Sequence, residues 1–278
     1  MNLYIELLSK VVRNEIYLSY HDQSITSQDI ETCQLVISDL QKNNPVVLDT
    51  YPHLKDAKKF ADIINYTKSS KPVHTYVNEK GTKNLIELCE TVINENIDGS
   101  FVEVGTLRGG LGILMAGIIQ STGVDKNLYI FDSFAGLNTT NTKDSLFDRE
   151  VWDRYRTWFT QHQFNCECSK SEVIENFKKY DLDSIPRLME GWIPDCFSNF
   201  DEKISCLRID VDWYQATLDT LLNLYDLVEP GGYIIIDDYK LEGCKKAIHE
   251  FFDLKGISPL IQHACEQSGI IYWKKNHD

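Results

Sequence analysis

Hydrophobic and polar positions change rhythm once along the chain, near residue 100. Before that point the spacing is helical. Met1–Tyr20 places Ile5, Leu8, Val12 and Ile16 at steps of three and four, with Glu6, Lys10, Arg13 and Glu15 between them. That pattern predicts an amphipathic helix, not the apolar core of a signal peptide. Thr26 or Ser27 can cap a second helix reaching about Gln41, which Asn43-Asn44-Pro45 ends. A third helix is predicted over Leu54–Tyr66, and Ser69-Ser70-Lys71-Pro72 breaks the pattern after it. Asn84–Glu95 repeats Leu85, Leu88, Val92 and Ile93 at helical spacing.

From Ser100 short apolar runs alternate with helices. The predicted strands are Phe101–Val104, Leu128–Phe131, Pro186–Met189, Ile204–Ile209 and Tyr233–Ile236. Helices are predicted over Gly110–Gln120, Ser171–Tyr180, Ala216–Leu227 and Glu242–Phe252. Such alternation predicts an α/β fold with a mostly parallel sheet. Pro259–Ala264 and Gly269–Lys274 follow with no helix between them, so a terminal antiparallel hairpin is expected. Ala135–Lys170 is too long for an ordinary loop. It carries Trp152, Tyr155, Trp158, Phe159 and Phe164, and the spacing of Tyr155, Trp158 and Phe159 predicts some helix. It reads equally as a packed insertion and as a lid or substrate wall.

Composition narrows the function. The chain has 278 residues, 42 acidic against 28 basic, for a net charge of −14. That balance argues against binding nucleic acid or an anionic membrane, which need basic surfaces. The longest apolar run, Leu111–Ile119, contains two glycines and is about half of the ~20 residues a spanning helix needs. The eight cysteines include no CxxC pair, so a zinc ribbon is not expected and a reduced, cytoplasmic protein is.

Two motifs point to a ligand at the strand ends. In Ser100–Gly110 an apolar strand ends at Glu103-Val104, Gly105 follows, and Gly109-Gly110 open a helix. Glycines there let a ligand approach the backbone. The spacing is not GxGxxG, which argues against a dinucleotide. Asp132 ends the next strand, where an acid accepts both hydroxyls of a ribose or caps a turn. Together the two motifs suggest a nucleoside-containing ligand. Further on, Asp210 and Asp212 end one strand and Asp237 and Asp238 end the next. If the strands are neighbours, these carboxylates converge, and crowding of that kind calls for a cation. Hard oxygen donors without a His or Cys cluster favour Mg²⁺. The competing reading is helix capping by Asp212 and Asp238.

Four blocks resemble the macrocin O-methyltransferase family, sugar methyltransferases that use Mg²⁺ and S-adenosylmethionine. They are FVEVGTLRGG from Phe101, IFDSFAGL from Ile130, LRIDVDWYQAT from Leu207 and PGGYIIIDDY from Pro230. Leu3–Tyr17, Met189–Asp195 and Tyr239–Ile248 are similar too, so the resemblance covers about residues 1–20 and 74–255. Thr106-Leu107 and Gln215-Ala216 depart from the family's usual Val-Trp and Glu-Ser, and Tyr20–Ser70 and Ala135–Lys170 look enlarged. The resemblance implies a Rossmann-like class I methyltransferase sheet with an antiparallel last strand. It implies a helical cap or lid over residues 1–75 and a methyltransferase domain over 76–278. Adenosylmethionine is then expected near Glu103, Gly105, Thr106, Asp132 and Ser133, with Gly191 and Trp192 at the adenine. Mg²⁺ is expected on Asp210, Asp237 and Asp238, and Asp210, or second Asp212, as the proton acceptor. A glycoside or sugar acceptor and a homodimer are the implied partners.

Lys240 and His249 are weaker candidate bases. Tyr214 and Tyr239 either touch the acceptor or pack, and His74 either lines the cofactor pocket or is structural. The main rival is a glycosyltransferase, because Asp210-Val211-Asp212 also matches a metal-binding DxD signature. That reading leaves the glycine turn and Asp237-Asp238 without a role.

Overall fold

The computed structural model describes residues 2–15, 25–65, 73–161, 166–265 and 269–276. Its frame is a seven-stranded sheet in the order β3-β2-β1-β4-β5-β7-β6. The strands are β1 (Ser100–Val104), β2 (Leu128–Asp132), β3 (Pro186–Glu190), β4 (Ile204–Ile209), β5 (Val228–Ile236), β6 (Gln262–Cys265) and β7 (Ile270–Lys274). Strands β1 to β5 are parallel, and β7 runs antiparallel to both β5 and β6. The predicted mixed sheet and terminal hairpin are therefore present. The predicted strand bounds differ most at β5, which begins at Val228, five residues before the predicted Tyr233, with Gly231 (φ 90°) and Gly232 following Pro230 inside the strand.

Helices cover both faces of the sheet. On one side are α1 (Leu3–Val12), α5 (Glu79–Asn94), α6 (Gly110–Thr122) and α8 (Lys170–Lys178). On the other are α9 (Tyr214–Leu224) and α10 (Glu242–Lys255). Side chains alternate across the sheet with the pleat. Phe101 and Cys206 join the first core, while Val102, Val104, Leu207 and Ile209 join the second. That parity decides where the polar residues at the strand ends point.

Local chemistry sets the helix ends. Thr26 and Asp29 form a capping box at the start of α2 (Ser27–Asn43), and Ser169 with Glu172 does the same for α8. Helix α1 stops at Val12 because Arg13 caps it and Asn14 turns left-handed. It is shorter than the Met1–Tyr20 reading, whose last residues, 16–20, lie outside the described chain. Pro45 ends α2 as expected but also opens α3 (Pro45–Thr50), since proline suits a first helical turn. The Leu54–Tyr66 reading resolves into a short 3-10 turn at Pro52–Lys55 and α4 (Ala57–Asn65).

Helices α2 to α4 make a core of their own, around Cys33, Val36, Leu40, Leu48, Leu54 and Phe60. Val151 is buried in that core, and Leu146, Phe147, Trp152 and Tyr155 pack against it. The long segment after β2 is thus a packed insertion on α2 to α4. It contains a π turn at Asp148–Asp153 and α7 (Arg156–Gln161). Among the described residues, no helix is long and apolar enough to cross a membrane.

Candidate active site

The parallel ladder runs one residue past each strand and fixes the backbone of the site. Gly105 N donates to Phe131 O at 2.8 Å and Gly191 N to Asp132 O at 3.0 Å. Asp210 N donates to Val104 O at 2.9 Å, and Asp237 N to Ile209 O at 3.0 Å. The carboxyl ends of β1 to β5 therefore open onto one crevice, where ligands bind in open α/β sheets. The crevice is a cavity of about 420 Å³. Glu103, Gly105, Thr106, Asp132, Ser133, Gly191, Trp192, Asp210, Asp212, Asp237 and Asp238 all line it. The residues expected to hold the cofactor, the cation and the proton are thus brought to the same place.

Glycine is required at the first turn. Gly105 has φ 82°, and a Cβ there would stand 1.8 Å from the carbonyl oxygen of Asp210. The close approach seats the β1–α6 turn directly beside the end of β4. A Cβ on Gly110 would meet the His74 carbonyl at 2.6 Å. That contact places the strap around His74 against the same turn.

The acids of the turn are spent on the protein. Asp132 accepts from the backbone amides of Thr106 (2.7 Å), Leu107 (3.4 Å) and Phe134 (2.8 Å). It clips the first turn to the second, and both Leu107 and Phe134 sit at positive φ. Burial raises its carboxyl above the usual range, while the three amides pull it down. Glu103 is fully buried. Its Oε1 accepts from Arg208 Nη1 at 2.9 Å and its Oε2 from Thr106 Oγ1 at 2.6 Å.

The four aspartates behave differently. One oxygen each of Asp210, Asp212 and Asp238 lies within 4.8 Å of the others. Asp212 takes a left-handed backbone (φ 58°), a cost that clusters at functional sites. Its amide donates to Asp238 Oδ2 at 3.0 Å. Asp237 is one residue away and pairs with Arg208 at 3.2 Å. Burial, then repulsion from Asp210, pushes the Asp212 carboxyl well up. Burial and the charges of Asp212 and Asp210 do the same for Asp238. Asp237 is pushed up to about 7 by burial, against the pull of Arg208. Crowded, half-buried carboxylates of this kind fit a hard cation that would offset both penalties.

The other candidates divide. His74 lines the cavity, and burial with Lys179 and Arg108 nearby lowers its pKa to about 4. Lys240 lines the cavity too. His249 instead shares a 2.8 Å hydrogen bond with Tyr239 OH. Tyr214 is buried, and its OH donates to Glu250.

Sequence reasoning passed over three residues. Arg208 is the first, although its place two residues before Asp210 on a strand puts both on one face. Asp144 is the second. It is buried, and its Oδ1 accepts from Tyr214 N at 2.8 Å, capping α9 from the insertion. Arg156 of α7 is the third, donating to the carbonyls of Leu137 and Asn138 at the cavity wall. Trp213 Nε1 also donates to Asn138 O, at 2.9 Å. No local pattern marks Asp144 or Arg156, since both act across long sequence separations.

The geometry sets the context for comparison with known proteins. The chain is similar to mycinamicin III 3''-O-methyltransferase of Micromonospora griseorubida, with 33% identity over 210 residues, 73% of this chain and 79% of that one. It is 36% identical over 211 residues to demethyldecarbamoylnovobiocin O-methyltransferase of Streptomyces niveus, 73% of this chain and 76% of that protein. The structure of the O-methyltransferase NovP superposes with a TM-score of 0.73 at 27% identity, covering 99% of both chains. Residues 1–275 match the macrocin O-methyltransferase family. The chain belongs to that family, and it is an S-adenosylmethionine-dependent O-methyltransferase with a class I Rossmann-like fold.

Proposed function

We propose that the protein methylates a hydroxyl of a sugar on a glycosylated small molecule, with a divalent cation of the Mg²⁺ type. The observation that carries this reading is the aspartate cluster at the ends of β4 and β5, facing the same cavity as the glycine turn. A glycosyltransferase would use Asp210 and Asp212 but not the glycine turn, so it is not favoured. A relative's name supports the sugar: one from Streptomyces olivaceus is named as an O-methyltransferase of a dimethoxy-α-L-rhamnosyl tetracenomycin.

Adenosylmethionine supplies a methyl group on sulfur for in-line displacement. Gly105, Thr106, Asp132, Ser133, Gly191 and Trp192 would hold it, on the turns that the ladder fixes. Asp210 and Asp238 of the 4.8 Å group would hold the cation together with Asp237, which stands outside that group and pairs with Arg208. Bound there, it supplies the Lewis acidity that makes an alcohol a usable nucleophile at neutral pH. Alignment of that alcohol falls to the cavity walls.

The proton acceptor is Asp212. Asp210 Oδ2 already accepts from Arg208 at 2.6 Å, so one of its oxygens is engaged. The Asp212 carboxylate has no hydrogen-bond donor among the described residues, and its oxygen belongs to the same 4.8 Å group. A base there stands beside the activated hydroxyl. This reading reverses the order expected from the sequence, in which Asp210 came first.

Wild-type protein should transfer one methyl to members of a glycoside panel given adenosylmethionine and Mg²⁺, and lose that transfer in EDTA. Mass spectrometry reads the gain of a methyl. Transfer that survives EDTA at full rate would remove the cation from the reading. Heat-shift measurements separate the rival: stabilisation by nucleotide-sugars, and none by adenosylhomocysteine, would reverse the assignment.

The helical region at the N-terminus and the insertion form the acceptor side of this proposal. Helices α2 to α4 do not line the cavity, but Arg156 connects their core to its wall. A homodimer is also proposed, because α1 presents Leu3 and Leu7 to solvent. Light scattering tests it.

A further inference from the structure

Arg208 does more than engage one oxygen of Asp210. It lies on β4 opposite Glu103 of β1 in the parallel register. Its residue is 2% exposed. One arm, Nη1, donates to Glu103 Oε1 at 2.9 Å and to the Gly105 carbonyl at 3.4 Å. The other, Nη2, donates to Asp210 Oδ2 at 2.6 Å and lies 3.2 Å from Asp237 Oδ1. A single planar group therefore touches the cofactor turn with one nitrogen and two aspartates with the other.

Stability alone is a weak reason to bury such a cluster. Desolvation of the charges cancels much of their attraction, and apolar side chains of the same size do as well. The Nε is also buried, with no partner among the described residues. What the arrangement does provide is geometry. A guanidinium is a rigid fork, so it fixes the directions of the groups it binds, which a lysine ammonium does not. It occupies one oxygen of Asp210 and one of Asp237, and no donor among the described residues occupies the second oxygen of either.

We propose that Arg208 is a positioning residue: it locks the carboxylates of Asp210 and Asp237 to the cofactor turn, in the orientation that a divalent cation requires. The proposal rests on the cation reading above. It adds that the cofactor half and the cation half of the cavity share one rigid joint.

The test uses Arg208→Lys, which keeps the charge and removes the fork. Mn²⁺, followed by its electron spin resonance, serves as the probe ion for the protein without cofactor. Arg208→Lys should bind Mn²⁺ at least about tenfold more weakly, a loss typical of a support behind a metal ligand. Its adenosylhomocysteine affinity by calorimetry should stay within about threefold of wild type, because the glycine turn keeps its amide clip. Mn²⁺ binding equal to wild type overturns the proposal, since charge alone then suffices. Equal losses of Mn²⁺ and adenosylhomocysteine binding also overturn it, since the role is then general to the fold.

Carbon-13 NMR of the aspartate carboxyls separates this proposal from the cation reading. In Arg208→Lys the Asp210 and Asp237 signals should move while that of Asp132 stays. Wild-type protein that binds no Mn²⁺ overturns the cation reading, and the NMR signals then decide on Arg208. If Arg208→Lys does not fold, Glu103→Gln carries the test by loosening one arm of the guanidinium. It should weaken Mn²⁺ binding more than Asp132→Asn, which removes a charge from the same cavity without touching Arg208. Equal effects of those two variants would overturn the proposal.

Discussion

One cavity holds two kinds of acid. At the cofactor end, Asp132 accepts three backbone amides, and Glu103 gives one oxygen to Arg208 and the other to Thr106. Their charges shape turns. At the other end, Asp212 and Asp238 crowd Asp210, and burial with mutual repulsion raises their carboxyls. Among the described residues no basic side chain pairs with Asp212 or Asp238, the setting in which the proposed cation would fit. Acidity in a pocket is thus not one signal. What separates scaffold from chemistry is whether the oxygens are already spent.

The sharpest way to break this contrast is to neutralise an unspent acid. Asp212→Asn keeps the shape and removes the proposed base, so methyl transfer should fall by about 10²–10⁴-fold. Adenosylhomocysteine binding should be nearly unchanged by calorimetry, because no contact of the glycine turn involves that side chain. Comparable loss of cofactor binding would merge the two ends of the cavity into one. Mn²⁺ binding should persist in this variant and fail in Asp238→Asn.

The two ends were not equally legible in the sequence. The glycine turn and the aspartates announce themselves by spacing at strand ends, and parallel topology then delivers them to one crevice. Which acids are spent depends on register and on backbone amides. Glu103 meets Arg208 only because β1 and β4 align those residues, a fact invisible in either strand alone. The amide clip of Asp132 requires positive φ at Leu107 and Phe134, residues that rarely adopt it. The insertion reads equally as a packed element and as a lid, and its packing on α2 to α4 is seen only in the structure. Its ties to the site, Asp144 under α9 and Arg156 on the cavity wall, span too much sequence for pattern to show.

The next effect in size belongs to the cofactor end. His74 donates its amide to Val12 O and accepts from Gly110 N, while its side chain is kept neutral by burial. Its pKa falls from 6.5 to about 4 in the folded chain. Between those values the unfolded chain takes up a proton that the folded chain refuses. Stability therefore falls as pH drops through that window and levels off below it. The loss reaches about 3 kcal/mol at most. His74→Phe should remove this component, so its melting temperature should decline less than wild type between pH 6.5 and 4. Parallel profiles would show that His74 titrates as an exposed histidine does.

The smallest effect tests whether a spent acid matters for its charge or for its lone pairs. Asp132→Asn is isosteric, but its amide nitrogen can only donate. Whichever way the side chain turns, a backbone N–H of Thr106, Leu107 or Phe134 loses its acceptor. An unsatisfied buried donor costs roughly 1–3 kcal/mol, part of it felt as lost order in the turn. Adenosylhomocysteine affinity should fall by about tenfold, the equivalent of about 1.4 kcal/mol. Mn²⁺ affinity should shift by less than about twofold, because the aspartate cluster keeps all its carboxylates and its arginine. If Asp132→Asn instead weakens Mn²⁺ as much as it weakens adenosylhomocysteine, the cavity responds to total charge. The distinction between spent and unspent acids would then have no consequence for binding.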